Sequence, residues 1–209
     1  MLPSLYIYVL NIFAKAAIRQ FGTESAAKPQ TADPVGVVVA AIFADPDCTW
    51  RGKSMIDILL AKFRIVCPVV FGYNGDESTV EGRRILAISR GGDPERWRGF
   101  GAGFAAIGLR NFSKSKNNNP FPPSQFWTAM AKIINTPGDQ ISDVQATVLQ
   151  AMISGSEQRF LDFYGTAGLA ALRLALVEFP AKATKKTVGV LQLKVLGEQL
   201  QSNMGLQLA

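Results

Sequence analysis

Apolar side chains recur every three or four positions over most of the chain, which is the spacing of one face of an α-helix. In one such segment the apolar positions are Val35, Val38, Val39, Ile42 and Phe43. This segment is rich in β-branched residues, so a strand remains an alternative there. No convincing run alternates between apolar and polar residues, and the pattern therefore predicts an all-helical protein.

Residues that cap or stop helices indicate where the predicted helices begin and end. The predicted helix starts are Asp33-Pro34, Ser54 with Asp57, Ser78 with Glu81, Asp93-Pro94, Ser124, Ser142 and Glu157. The predicted stops are Cys67-Pro68, Gly91-Gly92 and Pro180. An N-cap side chain accepts a hydrogen bond from a free backbone N–H group, and proline cannot continue a helix, so these residues punctuate the pattern.

The first and last helices are predicted from apolar stripes. The first stripe consists of Leu2, Leu5, Tyr6, Val9, Phe13 and Ala16. The last consists of Val188, Leu191, Val195, Leu196 and Leu200, with Gln199. We interpret the opening segment as an amphipathic helix instead of a secretory signal, because its basic residues follow the apolar run. It is also too short to cross a bilayer, so we expect no membrane span.

Residues 1–209 are predicted to form a single helical domain. Two loops interrupt the pattern, at residues 71–77 and 113–123, and the second is the best candidate for a hinge or an internal boundary. Paired helices joined by short turns are typical of a HEAT-like stack, or α-solenoid.

The composition excludes several kinds of chemistry. The chain has no histidine and two cysteines, so it has no histidine-dependent triad, no histidine-ligated metal and no cysteine-only zinc site. We expect Cys48 and Cys67 to be buried and reduced. The spacing Gly101-x-Gly103-x-x-Ala106 resembles a dinucleotide-binding loop, but no strand precedes it, and close helix packing is the better interpretation.

Positive charge is concentrated in stretches that lack acids. The net charge is +6, and no acid occurs from residue 96 to 138 or from 179 to 197. Basic pairs from separate helix ends would form a pocket for a phosphate-bearing anion, since ammonium and guanidinium groups both suit phosphate oxygens. A scattered, solvated basic surface remains the alternative. The chain lacks the aromatic stripe of an RNA-binding sheet, so we expect no sequence-specific nucleic-acid binding.

The ordered blocks of the chain resemble a known family. They are residues 18–20, 33–43, 57–61, Cys67-Pro68, 81–84, 99–109, 127–135, 143–149 and 178–180. In this order they resemble the C-terminal domain of the GLE-one-type mRNA-export factors of the nuclear pore, in a fungal version. That domain usually begins further upstream, so the resemblance predicts that residues 1–209 are a shortened form of it.

The resemblance implies an all-α, HEAT-like domain similar to the middle domain of the translation-initiation scaffold, with a regulatory and non-enzymatic role. It implies binding of inositol hexakisphosphate and of a DEAD-box RNA helicase, whose ATPase cycle the domain stimulates during mRNA export. It also implies an FG nucleoporin partner and a location in the cytoplasm, at the cytoplasmic face of the nuclear pore complex.

The resemblance also implies an inositol-phosphate site. The candidates are Lys15, Arg19, Lys62, Arg64, Arg98, Lys182, Lys185 and Lys186. Arg96 is a further possibility. Family members tend to carry basic residues just before Cys-Pro, where this chain has Ile65 and Val66. Two other hypotheses stay open: a generic helical scaffold of translation initiation or RNA processing, and an enzyme or transport protein with an apolar ligand cavity.

Overall fold

The computed structural model describes residues 4–88 and 95–206 of the chain, and these form an all-helical domain. The helices are α1 (Ser4–Ala27), α2 (Ala32–Ala44), α3 (Asp57–Val66), α4 (Val80–Ile85), α5 (Glu95–Gly108), α6 (Pro123–Ile134), α7 (Asp143–Ile153), α8 (Glu157–Arg173), α9 (Phe179–Lys182) and α10 (Val188–Met204). The all-α prediction is confirmed, and the segment for which a strand was the alternative forms α2. The predicted stop at Gly91-Gly92 and the predicted start at Asp93-Pro94 lie outside the described residues.

One small hairpin departs from the helical pattern. Strand β1 (Thr49–Trp50) pairs antiparallel with β2 (Lys53–Ser54). The two turn residues, Arg51 and Gly52, both have positive φ, at 52° and 76°. A two-residue turn of this kind matches the natural twist of paired strands, and two-residue strands are too short to show an alternating pattern in the sequence.

Helix α5 lies at the centre of the domain and packs against α1, α2, α6 and α7. Every residue from Gly99 to Gly108 is buried. A β-carbon at Gly99 would lie 2.0 Å from the carbonyl oxygen of Phe21, and one at Gly101 would lie 2.6 Å from that of Val148. The glycines therefore allow close helix approach, as predicted, and their backbone is not a phosphate-binding loop.

The predicted helix starts that fall in the described residues are correct to within a few residues, although several of the caps differ. Ser142 and Gln145 form the reciprocal capping box that begins α7. The N-cap of α4 is Thr79 instead of Ser78, and that of α6 is Pro122 instead of Ser124. Asp33 is the second residue of α2 instead of its cap, and its carboxylate is engaged by two arginines.

The predicted faces of α1 and α10 are only partly correct. Tyr6, Phe13, Leu196 and Leu200 pack in or against the core, but other members of the two stripes do not. In α1, Leu5 is 70% exposed and the buried side includes Leu10, Ala14 and Phe21. In α10, three members of the predicted stripe are half or more exposed, namely Val188, Leu191 and Val195. The core-facing side of α10 contains Gly189 and Gly197, which contact α7 and Leu176 closely. The small residues at these two positions permit close packing.

The loop at residues 113–123 is attached to the core. Phe121 is buried, and its ring centroid lies 5.4 Å from that of Phe104 in α5. Asn119 donates a hydrogen bond to the carbonyl oxygen of Arg110. Residues on both sides of the loop belong to one hydrophobic core.

Both cysteines are buried and free, as the sequence predicted. Burial raises the pKa of the Cys67 thiol to about 12, since a thiolate is poorly solvated in an apolar environment. The Cys48 sulfur lies 3.2 Å from the Tyr6 hydroxyl. Cys67 is therefore a structural apolar residue and not a nucleophile.

The helical run from Glu157 to Lys182 is long and apolar enough to cross a membrane by length and composition. It is interrupted at Gly165, which has φ 51° and ψ −127°, and it passes through a π-helical turn at Leu174–Glu178. Phe160, Leu172 and Phe179 from this run lie in the core of the domain. We therefore interpret the run as part of the folded domain.

The Asp33 carboxylate joins α2 to two distant parts of the chain. Arg110 donates to it, and Arg159 at the start of α8 donates over 2.5 Å. Burial raises the pKa of Asp33, but the hydrogen bonds from the two arginines outweigh this effect and hold the pKa below its ordinary value. The folded state therefore favours the charged carboxylate.

Replacing Asp33 by asparagine is expected to lower the free energy of unfolding by about 1 kcal/mol at pH 7, because the carboxylate is partly exposed and solvent weakens the pair. Since the folded pKa is lowered, the wild-type stabilisation is present above about pH 4 and is lost as the pH falls through the folded pKa. Urea unfolding at pH 7 and pH 3 measures this. A loss of the same size at both pH values would contradict the assignment.

Candidate functional site

A cleft of about 840 Å³ lies between α1, α3 and the beginning of α5. Four of its lining side chains are basic: Lys15, Arg19, Lys62 and Arg96. The remaining lining residues are polar or apolar: Asn11, Ile18, Gly22, Thr23, Ile65, Val66 and Phe100. No acid lines the cleft among the residues that the structure describes. We call this cleft, with its four cations, the basic pocket.

Three of the basic side chains come from positions that the sequence singled out. Lys15 and Arg19 are four residues apart in α1, so they lie on one side of the helix. Lys62 belongs to the last turns of α3, which packs beside α1. The close approach of these two helices brings the three charges to one cleft.

Arg96 is the fourth cation of the basic pocket, and its guanidinium is positioned by an aromatic ring. The guanidinium carbon lies 5.6 Å from the centroid of Phe100, one turn further along α5. Gly22 of α1 faces both side chains, since a β-carbon there would lie 3.0 Å from the Phe100 ring and 3.8 Å from Arg96 Nε. Stacking on an aromatic face leaves the edge of the guanidinium free to donate hydrogen bonds to an anion.

The four cations have no acidic partner in residues 4–88 and 95–206, as none of them forms an ion pair there. Like charges in one cleft repel each other, and an anion that bridges them removes this repulsion. A ligand with several phosphate groups offers enough oxygens to contact all four at once. The pocket is therefore suited to a compact polyanion.

Two of the other predicted residues lie near the pocket in sequence but have other partners. Arg64 donates to the hydroxyl of Tyr73, and its guanidinium carbon lies 5.1 Å from that ring. Arg98 donates to Glu95 over 2.8 Å and to Gln192 of α10 over 3.1 Å. Arg98 therefore points towards α10, whereas Arg96 points towards α1. The spacing of Arg96, Gly99, Phe100 and Gly103 places them on one side of α5, but the sequence alone does not indicate that α1 packs against that side.

The three predicted lysines after α8 also lie outside the cleft. Lys182 donates to the carbonyl oxygen of Ile134, and burial lowers the pKa of its ammonium group. Lys185 forms an ion pair with Asp76 at 3.3 Å. Lys186 donates to the carbonyl oxygen of Pro180 over 3.1 Å. The structure thus brings together Lys15, Arg19 and Lys62 and separates the other five candidates from them.

The chain is similar to fungal mRNA-export factors over its whole length. It is 54% identical to the mRNA export factor GLE1 of Chaetomium thermophilum over 216 aligned residues, which cover 100% of the chain and 41% of that relative. It is 27% identical to the mRNA export factor GLE1 of Saccharomyces cerevisiae, with 95% of the chain and 38% of the relative covered. The chain therefore spans about two fifths of the length of these relatives.

Solved structures agree with this similarity. A chain in a complex described as the S. cerevisiae Dbp5 C-terminal domain bound to Gle1 and IP6 matches with a TM-score of 0.82 and 28% identity, over 96% of this chain and 71% of that chain. A second complex, with a Gle1 point variant, matches with a TM-score of 0.80. The model of the GLE1-like protein family matches residues 2–176. The chain therefore belongs to the GLE1-like family.

Proposed function

We propose that this domain binds inositol hexakisphosphate in the basic pocket and, together with it, a DEAD-box RNA helicase whose ATPase cycle it stimulates during mRNA export. The observation that carries the proposal is the convergence of Lys15, Arg19, Lys62 and Arg96 on one cleft without a lining acid. The related complexes are described as containing Dbp5, Gle1 and IP6, which supports the same partners for this chain.

The chemistry of the ligand explains why a second protein takes part. Six phosphates on one small ring carry more charge than four cations on one side of the ligand neutralise. A partner that supplies further basic side chains from the opposite side binds the ligand more tightly in the complex than in either protein alone. Ligand and partner then raise each other's affinity by the same factor, which is a coupling free energy.

The stimulation that we propose is a shift between conformations of the helicase and not a chemical step on this domain. A DEAD-box helicase has two lobes that close on ATP and RNA. A protein that binds the open arrangement more tightly favours release of products, since a ligand shifts an equilibrium by its differential affinity for the two states. The domain then acts as an ATPase activator without catalytic residues of its own.

The deciding experiment is a steady-state ATPase assay of the cognate DEAD-box helicase with RNA, with and without this domain and inositol hexakisphosphate. We expect stimulation that depends on both additions. Absence of stimulation under every condition would overturn the proposal, and co-purification with translation initiation factors instead of the helicase would favour the general scaffold function.

Two neighbouring basic residues of α3 provide a matched test of the pocket. Lys62→Gln is expected to weaken inositol hexakisphosphate binding about tenfold and to make it less sensitive to salt, because one charge-assisted contact is lost. Arg64→Gln, two residues away, removes the same amount of charge. The side chain that it replaces is held by Tyr73 and does not line the cleft. Calorimetric titration at two salt concentrations measures both, and equal losses for the two variants would place the ligand outside this cleft.

We also propose that the domain acts in the cytoplasm, at the cytoplasmic face of the nuclear pore, with an FG nucleoporin as a further partner. An apolar groove of about 440 Å³ lies between α9 and α10 and supports such a contact. Val177 and Leu191 line this groove and are both exposed. It has no lining residue in common with the basic pocket, so both partners are able to bind one domain.

A further inference from the structure

One rim of the basic pocket is apolar and exposed. Ile65 lines the cleft from the last turn of α3, yet its side chain is 73% exposed, and the adjacent Val66 is half-buried. We call these two residues the apolar rim. Few large apolar side chains in the described parts of the chain are more exposed than Ile65.

The apolar rim is directly adjacent to the cations. Ile65 follows Lys62 by three residues in α3, so the two side chains lie on neighbouring positions of the helix surface. Arg64 is held by Tyr73, whereas the Ile65 side chain remains largely exposed. A polyanion in the cleft is able to satisfy Lys62, but it gains nothing from contact with a hydrocarbon side chain.

Exposed apolar residues border the cations on α1 as well. Tyr8 and Ile12 are 60% and 46% exposed, and they lie on the same stripe of the helix as Lys15 and Arg19. The charges are therefore flanked by apolar side chains on two sides. This arrangement is typical of a protein interface, where apolar contacts exclude water from the charged groups at its centre.

We propose that Ile65, together with Val66, is the apolar anchor through which the helicase docks over the ligand-filled pocket. The inference rests on the proposed function, and it identifies where the protein–protein contact begins. The occupant is the partner that covers the ligand, because a surface that reaches the outer phosphates of a ligand bound at Lys62 also reaches the side chain one turn away. Contact with an apolar patch on that surface removes Ile65 from water.

The proposal separates two contributions to the complex. The cations hold the ligand, and this contribution weakens as salt rises. The apolar rim holds the partner, and this contribution does not weaken in the same way, because burial of hydrocarbon is not electrostatic. Complex formation is therefore expected to retain a salt-resistant part that depends on Ile65.

The test compares Ile65→Ala with Val188→Ala. Alanine is a good helix former, and both side chains are largely exposed, at 73% and 65%, so both variants are expected to fold. Val188 lies at the start of α10 and does not line the cleft. Calorimetry with inositol hexakisphosphate alone gives the ligand affinity, and titration of the helicase at saturating ligand gives the affinity of the complex.

We expect Ile65→Ala to weaken the helicase complex about tenfold while its ligand affinity stays within about twofold of the wild type. Val188→Ala is expected to change neither. An unchanged complex with Ile65→Ala would overturn this inference and leave the proposed function intact. An equal loss in ligand affinity would also overturn it, because Ile65 would then act on the pocket itself.

Two further outcomes are distinguishable from these. If the wild-type domain forms no complex with the helicase at any ligand concentration, the proposed function fails and this inference fails with it. If the wild-type domain self-associates and Ile65→Ala abolishes that association, the apolar rim contacts a second copy of the chain instead. Size-exclusion chromatography with light scattering on the wild-type domain and on Ile65→Ala detects this self-association.

Discussion

Replacing Lys15 and Lys62 together by glutamine is expected to lower the affinity for inositol hexakisphosphate about a hundredfold. Each substitution removes one charge-assisted contact, for which we expect about a tenfold loss of affinity. The two losses in binding free energy add when the sites are independent, so the two tenfold losses multiply. ATPase stimulation is expected to fall by the same factor at subsaturating ligand and to recover at high ligand concentration. Calorimetry and the ATPase assay measure these two effects.

The matched control is the pair Lys185→Gln and Lys186→Gln. These residues were also candidates from the sequence, and their replacement changes the net charge by the same amount. Lys185 pairs with Asp76, and Lys186 contacts the carbonyl oxygen of Pro180, so neither lines the basic pocket. We expect less than about a threefold loss of ligand affinity for this pair, as only long-range attraction is reduced. A larger loss than that of Lys15 and Lys62 would show that the ligand binds elsewhere.

Gly99→Ala is expected to have the largest effect on stability, a loss of about 3 kcal/mol or more in the free energy of unfolding. The new methyl group would lie 2.0 Å from the carbonyl oxygen of Phe21 and 2.7 Å from the backbone nitrogen of Ala26. Both are backbone atoms of α1, so the clash cannot be relieved by a side-chain rotation. The helices have to move apart, and the core that they share loses its packing.

Gly108→Ala, in the same helix, is the control for this prediction. A β-carbon there would lie 3.2 Å from the β-carbon of Phe126, a contact that a shift of a few tenths of an ångström relieves. We expect a change within about 1 kcal/mol, since alanine also favours the helix. Urea unfolding followed by circular dichroism measures both variants. Similar stabilities for the two would contradict the close packing of α1 on α5.

Separation of α1 from α5 would also affect the basic pocket. Lys15 and Arg19 belong to α1, whereas Arg96 belongs to α5, and Gly22 contacts Phe100 at the boundary between them. The glycines of α5 therefore determine the width of the cleft as well as the stability of the core. A polyanion that bridges the two helices stabilises the folded state, because it binds the cleft and not the unfolded chain.

The sequence by itself determined the helical class, most of the helix positions and three residues of the basic pocket. Periodicity and capping are local properties, so the start at Ser142 and the stop at Cys67-Pro68 were readable from neighbouring residues. The ordered blocks of the chain were sufficient to indicate the family. Lys15 and Arg19 were found because their spacing of four places them on one side of any helix.

Only the tertiary structure decided which helix faces lie in the core and which cations converge. The exposed stripe of Val188, Leu191 and Val195 has the pattern of a buried face. The helix α10 instead buries a side that carries Gly189 and Gly197 beside Val190 and Leu193, and the close approach of α7 at Gly189 leaves no space for a side chain. Arg96 and Arg98 are equivalent as residue types, and only the packing of α5 directs one to α1 and the other to Gln192. The convergence of charges from α1, α3 and α5 depends on contacts between distant segments, and the spacing of residues along the chain does not encode these contacts.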